Sequence, residues 1–265
     1  MIRLSQPSAM SAHLETSRRL ADSTDRRPLG YGTGFLVQTG EDFDLVTNWH
    51  VLTGRDPITD DPKASAAKPD RIEVTMYAVH PDETLTRGAV SVALYDSAGQ
   101  ALWRISPSHG RHIDVVALRL PPIQMGPSGA LLPYSLEDVE NPAVVSPTSD
   151  VSIVGYPDVV RGRSETAVWT RATIASEPDL NFDDLPCFLV DARAREGQSG
   201  SPVVGYWTGN KPTMQAFQVG GGESWELYGV YSGRIRDGSD LGRVWKRSAI
   251  ADIVTYGMRD QYEWD

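Results

Sequence analysis

The run Glu196-Gly197-Gln198-Ser199-Gly200-Ser201-Pro202 sets a serine between glycines and leads into an apolar pair, Val203 and Val204. A serine in a tight glycine loop presents its hydroxyl, and backbone N–H groups of the loop can point at a bound carbonyl. Acyl transfer needs both. A neutral hydroxyl also needs a base. His50 follows the apolar run Leu45-Val46-Thr47-Asn48-Trp49, and Asp114 heads another, Val115-Val116-Ala117-Leu118. In the chemistry these residue types allow, His50 takes the Ser199 proton and later gives it to the leaving amine. Asp114 holds the other ring nitrogen, and the N–H groups of Gly197 and Ser199 form an oxyanion hole. Each residue alone has a plainer reading: a turn serine, a core histidine, a strand-end aspartate. Their joint occurrence, in the order His, Asp, Ser, carries the argument.

Two other clusters are weaker. His109, His112 and Asp114 have a spacing that could hold a metal, but no further Cys or His converges in sequence, and zinc sites usually need three or four ligands; no metal and no cofactor is expected. Cys187 sits in the apolar run Cys187-Phe188-Leu189-Val190 and reads as a buried strand residue. His13 and His80 read as surface residues.

The elements that must position these groups are short apolar runs broken by glycine and proline, of which there are 24 and 18 in 265 residues. That pattern favours strands and turns over long helices. Residues 1–28 read as an N-terminal extension with a short helix over 11–20. A hairpin over 29–52 ends at His50, and 53–70 is a polar loop. Strands are expected over 71–80, 88–95, 101–105 and 114–120, completing a unit of residues 29–120. The proline-rich stretch 121–149 reads as a crossover. A second unit, 150–240, carries expected strands at 151–155, 165–176, 187–191, 202–207, 213–219 and 225–234. Apolar residues at helical spacing over 244–256 predict a C-terminal helix within 241–265.

Gly32-Thr33-Gly34-Phe35-Leu36-Val37, Thr47-Asn48-Trp49-His50-Val51-Leu52, Asp114-Val115-Val116-Ala117-Leu118 and Gly197-Gln198-Ser199-Gly200-Ser201-Pro202 together resemble the four boxes of the trypsin-like (chymotrypsin-fold) serine peptidases. Ile174-Ala175-Ser176-Glu177-Pro178 is similar to a run in bacterial stand-alone members. The resemblance implies an all-β fold of two six-stranded antiparallel β-barrels with a C-terminal helix, a His50–Asp114–Ser199 triad, and an acyl-enzyme route for peptide hydrolysis. It also implies that Tyr231, Ser232 and Gly233 form one wall of a substrate pocket, with Arg193 and Ala194 in the other wall and floor. An arginine at 193 or 195 reaching that pocket would favour an acidic side chain; a solvated loop arginine is the plainer reading. Digestive members carry Asp where this chain has Gln198, and there that Asp pairs with an amino terminus freed by cleavage. Gln198 cannot make that ion pair, so the resemblance implies an enzyme competent without zymogen cleavage. The competing readings are a non-hydrolytic peptide- or protein-binding module on the same fold, and a protease effector controlled in trans by a regulatory protein partner.

Composition narrows the rest. Net charge is −10, and Lys and Arg are scattered, which argues against nucleic acid, a ligand that needs a clustered cationic face. No apolar run approaches a membrane span, and the first residues lack the apolar stretch of a secretory signal. The single cysteine precludes an intramolecular disulfide and points to a cytoplasmic location. Protein or peptide is the expected substrate.

Overall fold

In the computed structural model the described residues are 4–21, 23–63, 67–123, 128–157, 166–213, 217–218, 222–236 and 238–263. The elements of the N-terminal half are α1 (Gln6–Met10), β1 (Ser11–Arg19), β2 (Arg26–Thr39), β3 (Asp42–Thr47), α2 (Trp49–Thr53), β4 (Arg71–Val79), β5 (Leu85–Ala93), β6 (Trp103–Ile105), β7 (Val116–Arg119) and β8 (Ala130–Leu131). The C-terminal half contains β9 (Asp150–Gly155), β10 (Val168–Ile174), β11 (Cys187–Ala192), β12 (Pro202–Thr208), β13 (Lys211–Pro212), β14 (Phe217–Gln218), β15 (Glu223–Arg234), β16 (Leu241–Lys246), α3 (Arg247–Tyr256) and β17 (Met258–Arg259).

The fold is all-β, with a chymotrypsin-like pair of antiparallel units and a C-terminal helix. The second unit is a closed barrel in the order β10-β11-β16-β15-β12-β9. The first is a curled sheet in the order β17-β6-β7-β3-β2-β1-β4-β5, with β8 on β4. It turns back on itself where Tyr95 bridges Ala101 and Leu102 N donates to Leu94 O. Alternation explains the inward faces: Ile72, Val74, Met76 and Ala78 of β4 are buried while their neighbours are not.

Two expectations are corrected. Residues 11–20 are not a helix: Ser11–Arg19 is a strand in the middle of the first sheet, paired with β2 on one side and β4 on the other. Its Ala12, Leu14 and Thr16 are buried at every second position, a period of two that outweighs the helix propensity of Ala, Leu and Glu. His13, on the same strand, is half-buried, its ring against Tyr31 and Tyr156. The C-terminal helix begins at Arg247, and Val244 and Trp245 belong to β16, pairing with β11 and β15. The helix turns Ala249, Ile250, Ile253 and Val254 inward. The expected strand over 213–219 falls partly outside the described residues, as does the start of that over 165–176.

The core has three parts. One fills the first sheet around Leu14, Leu45, Trp49, Ile72 and Trp103. One fills the second barrel around Ile153, Phe188, Val203, Tyr231 and Val244. The third joins the halves: Phe35, Val37 and Val46 meet Val154, Val204, Val230, Trp245 and Ile250. After α3 the chain returns to the first sheet. There Asp260, nearly buried, accepts bonds from the indoles of Trp49 (2.7 Å) and Trp103 (2.9 Å). This clasp anchors α2, the short helix that carries His50. Among the described residues no helix is long and apolar enough to cross a membrane.

Candidate active site

His50 lies in the first turn of α2, which begins where β3 ends at Thr47. Its backbone N donates to Asp114 Oδ1 at 3.0 Å, and its Nδ1 meets Asp114 Oδ2 at 2.6 Å. Asp114 is therefore bound at both oxygens by one residue, which fixes the ring's orientation about the carboxylate. Ser232 Oγ, on β15, donates a third bond to Oδ2 at 2.6 Å. Asn48 Nδ2 holds the Asp114 main-chain carbonyl at 2.6 Å. The Asp114 side chain is 7 % exposed; at that burial an anion needs such partners.

Ser199 occupies the loop between β11 and β12. Thr33 N donates to its carbonyl at 2.9 Å. Gly233, the residue after Ser232, is its neighbour: a Cβ at Gly233 would stand 3.9 Å from Ser199 Oγ. Ser199 Oγ makes no hydrogen bond to His50 in the structure; catalytic contacts of this kind are often loose before substrate binds. Gly200 has φ +85, and a Cβ there would strike Thr33 O and Thr47 Oγ1, so the position requires glycine. Gly197 also has positive φ, +87. Among the described residues, the amides of Gly197 and Ser199 donate to no protein group, while those of Gln198, Gly200 and Ser201 are all bonded.

Gln198 is completely buried. Its Oε1 accepts from Arg195 N at 2.9 Å, its backbone N donates to Arg195 O at 3.2 Å, and its Nε2 donates to Thr170 Oγ1 of β10 at 2.7 Å. The loop is tied to the barrel wall by a neutral side chain.

The expected pocket residues are distributed unevenly. Ser232 has its hydroxyl on Asp114. Tyr231 turns its ring into the second barrel's core, where it covers Gly242, and burial pushes its phenol up to about 12. Its main chain serves the nucleophile loop instead, accepting from Gly200 N (2.8 Å) and donating to Ser201 O (2.9 Å). Gly233 stands beside Ser199. Ala194 is buried and Arg193 is exposed, as is Arg195. Arg234, not among the residues expected from sequence, reaches from β15 across to Ala194 O at 3.2 Å. Asn48, Thr33 and Thr170 were likewise not assigned roles from sequence: Thr33 and Asn48 lie within the boxes quoted above, but each of the three acts through a contact with a strand or loop distant in sequence.

His109 and His112 are exposed, while Asp114 is turned inward to His50 and Ser232. Among the described residues no three His, Cys, Asp or Glu side chains converge. Cys187 is fully buried and burial raises its thiol pKa, which suppresses thiolate reactivity.

A family profile described as the trypsin-like peptidase domain matches residues 32–209. The chain belongs to that family. It is accordingly a serine endopeptidase, and proteins or peptides are its substrates. No curated protein matches the sequence. Among solved structures, the chain is similar to the Rv3671c protease in its inactive form, with 19% identity over 94% of this chain and 88% of that one at TM-score 0.43. It is also similar to the serine endoprotease from Yersinia pestis, with 15% identity over 96% of this chain and 66% of that one at TM-score 0.49. The chain thus spans just under two thirds of the Yersinia protein.

Proposed function

We propose that this serine peptidase cleaves internal peptide bonds through His50, Asp114 and Ser199, by way of an acyl-enzyme, and that the intact chain is competent without proteolytic maturation. The observation that carries the reading is the doubly bonded Asp114–His50 pair set beside the Ser199 loop. His50 Nε2 takes the proton of Ser199 as Oγ forms its bond to the substrate carbonyl carbon. The carbonyl electron pair moves to oxygen, where the free amides of Gly197 and Ser199 stabilise it. Collapse breaks the C–N bond as His50 protonates the departing amine. Water, deprotonated by His50, then releases the acid and restores the serine hydroxyl.

The neutral anchor of Gln198 on Thr170 and Arg195 supports competence without cleavage, because no charged partner has to arrive to hold the loop. The intact chain, starting at Met1, is expected to label with a fluorophosphonate at Ser199, as read by intact mass before and after reaction. An inert chain that becomes reactive on cutting near Leu29 would overturn this.

The absence of a Ser199–His50 bond is the one observation that favours the alternative of a non-hydrolytic binding module, or of an effector completed by a partner in trans. A module would remain unlabelled under every condition. An effector would label only with its partner present. A cytoplasmic location is part of the proposal and rests on the single cysteine of the sequence.

A preference for acidic side chains is proposed from the arginines of the 193–196 segment and β15. Arg234 bridges β15 and the 193–196 segment, with Arg193 and Arg195 exposed alongside. Against these three arginines the 193–196 segment carries one exposed carboxylate, Glu196, so the local balance stays positive on a chain of net charge −10, which favours an acidic substrate side chain next to the cleaved bond. In a peptide library, Glu or Asp there is expected to exceed Gln or Asn by roughly 3–10-fold, the range of a half-exposed charged contact, with Arg234→Ala reducing the ratio towards one. Faster cleavage after Lys or Arg would refute it.

A further inference from the structure

Thr33 is wholly buried on β2, in the half of the molecule opposite Ser199. Its side chain and main chain both reach into the nucleophile loop. Thr33 Oγ1 donates to Gly197 O at 2.9 Å and accepts from Tyr156 N at 2.9 Å. Thr33 N donates to Ser199 O at 2.9 Å. Its own carbonyl is held by Thr47 Oγ1 at 2.8 Å. The polarity of the side-chain bonds is forced. Tyr156 N can only donate, so the Thr33 proton is left for Gly197 O.

The consequence lies in the peptide planes. The peptide joining Gly197 and Gln198 is bonded at both ends, its oxygen to Thr33 Oγ1 and its nitrogen to Arg195 O. The peptide joining Ser199 and Gly200 is also bonded at both ends, its oxygen to Thr33 N and its nitrogen to Tyr231 O. Peptides are rigid planes, so fixing these two sets the direction of the amides beside them, those of Gly197 and Ser199. Within 197–201 these are the two amides that donate to no protein group. A glycine with φ +87 at 197 has much conformational freedom to lose, and a flipped 197–198 peptide would change the direction of its neighbour.

We infer that Thr33 is a positioning residue for the oxyanion hole: its hydroxyl, supplied by one half of the molecule, holds the Gly197 amide of the other half towards the reacting carbonyl. The inference rests on the peptidase reading. It makes Thr33 a determinant of turnover and not of substrate affinity, because an oxyanion donor works chiefly once the carbonyl has become tetrahedral.

The test compares full-length Thr33→Val, which keeps the shape and removes the hydroxyl, with Thr33→Ser, which keeps the hydroxyl. The probes are a fluorophosphonate, whose phosphoryl oxygen enters the oxyanion hole, and fluorescein-labelled casein. Thr33→Val is expected to lower both the labelling rate constant and kcat by about 10–100-fold per folded molecule, up to the loss seen on deleting one oxyanion donor. The apparent KM should stay within about twofold, and Thr33→Ser should recover most of the rate. Should Thr33→Val fail to fold, Thr33→Ala carries the same comparison, since it leaves room for water at Tyr156 N. Unchanged kcat per folded molecule, with only thermal stability reduced, overturns the inference, as does a loss confined to KM. If the unaltered chain reacts with neither probe, the reading of a peptidase competent on its own falls, and this inference with it.

Discussion

Ser199→Ala is expected to abolish casein hydrolysis and fluorophosphonate labelling while leaving thermal unfolding within about 1 °C of the parent. The substitution removes a half-exposed hydroxyl that makes no hydrogen bond to His50, so little folding energy depends on it. What it removes is the atom that forms the new bond. His50→Ala is expected to cost nearly as much, on the order of 10⁵–10⁶ in kcat, and the double variant little more than either alone, because the residues act as one unit. The double-variant comparison is the discriminating one. Losses that multiplied would mean that His50 and Ser199 act in separate steps. Residual turnover of the serine variant at the parent rate would remove Ser199 from the mechanism altogether.

Deleting residues 1–28 is expected to abolish folding, not to activate the enzyme. β1 is paired with β2 from Ser11 to Arg19 and with β4 from His13 to Ser17, so its loss leaves two inner strand edges unpaired. It also removes Leu14, which is fully buried in the first core, and Ala12 and Thr16 beside it. Truncating Leu14 alone to Ala should cost about 2–5 kcal/mol. A whole central strand exceeds the roughly 5–15 kcal/mol by which domains of this kind are stable. The measurement is circular dichroism with a thermal melt of the chain beginning at Leu29. A cooperative melt, or any fluorophosphonate reactivity in that truncated protein, would show that β1 is dispensable and reopen the case for a propeptide.

The position of β1 also shows where local reading fails. Ser11-Ala12-His13-Leu14-Glu15-Thr16 has helix-favouring residues and equally a period of two, and a segment this short carries both patterns. Only the pairing with β2 and β4 decides between them, and those partners lie in other parts of the chain. Val244 and Trp245 are a second instance: their spacing fits the helix that follows, but β11 and β15 claim them for the second barrel.

By itself the sequence determined the all-β class, the family boxes and the candidate nucleophile, base and aspartate. Those features are local: a glycine-bounded serine, a histidine closing an apolar run, and strands written as short alternating runs between turns. It also made Gln198 visible as a residue that cannot carry the charge found in digestive relatives. Tertiary structure alone decided what each group touches. It put Ser232 on Asp114, turned the Tyr231 ring into the core, brought Arg234 across to Ala194, and set Thr33 of one half against Gly197 of the other. A hydrogen bond between residues 164 positions apart leaves no trace in either segment's composition or periodicity, because its energy depends on where two separately folded surfaces meet.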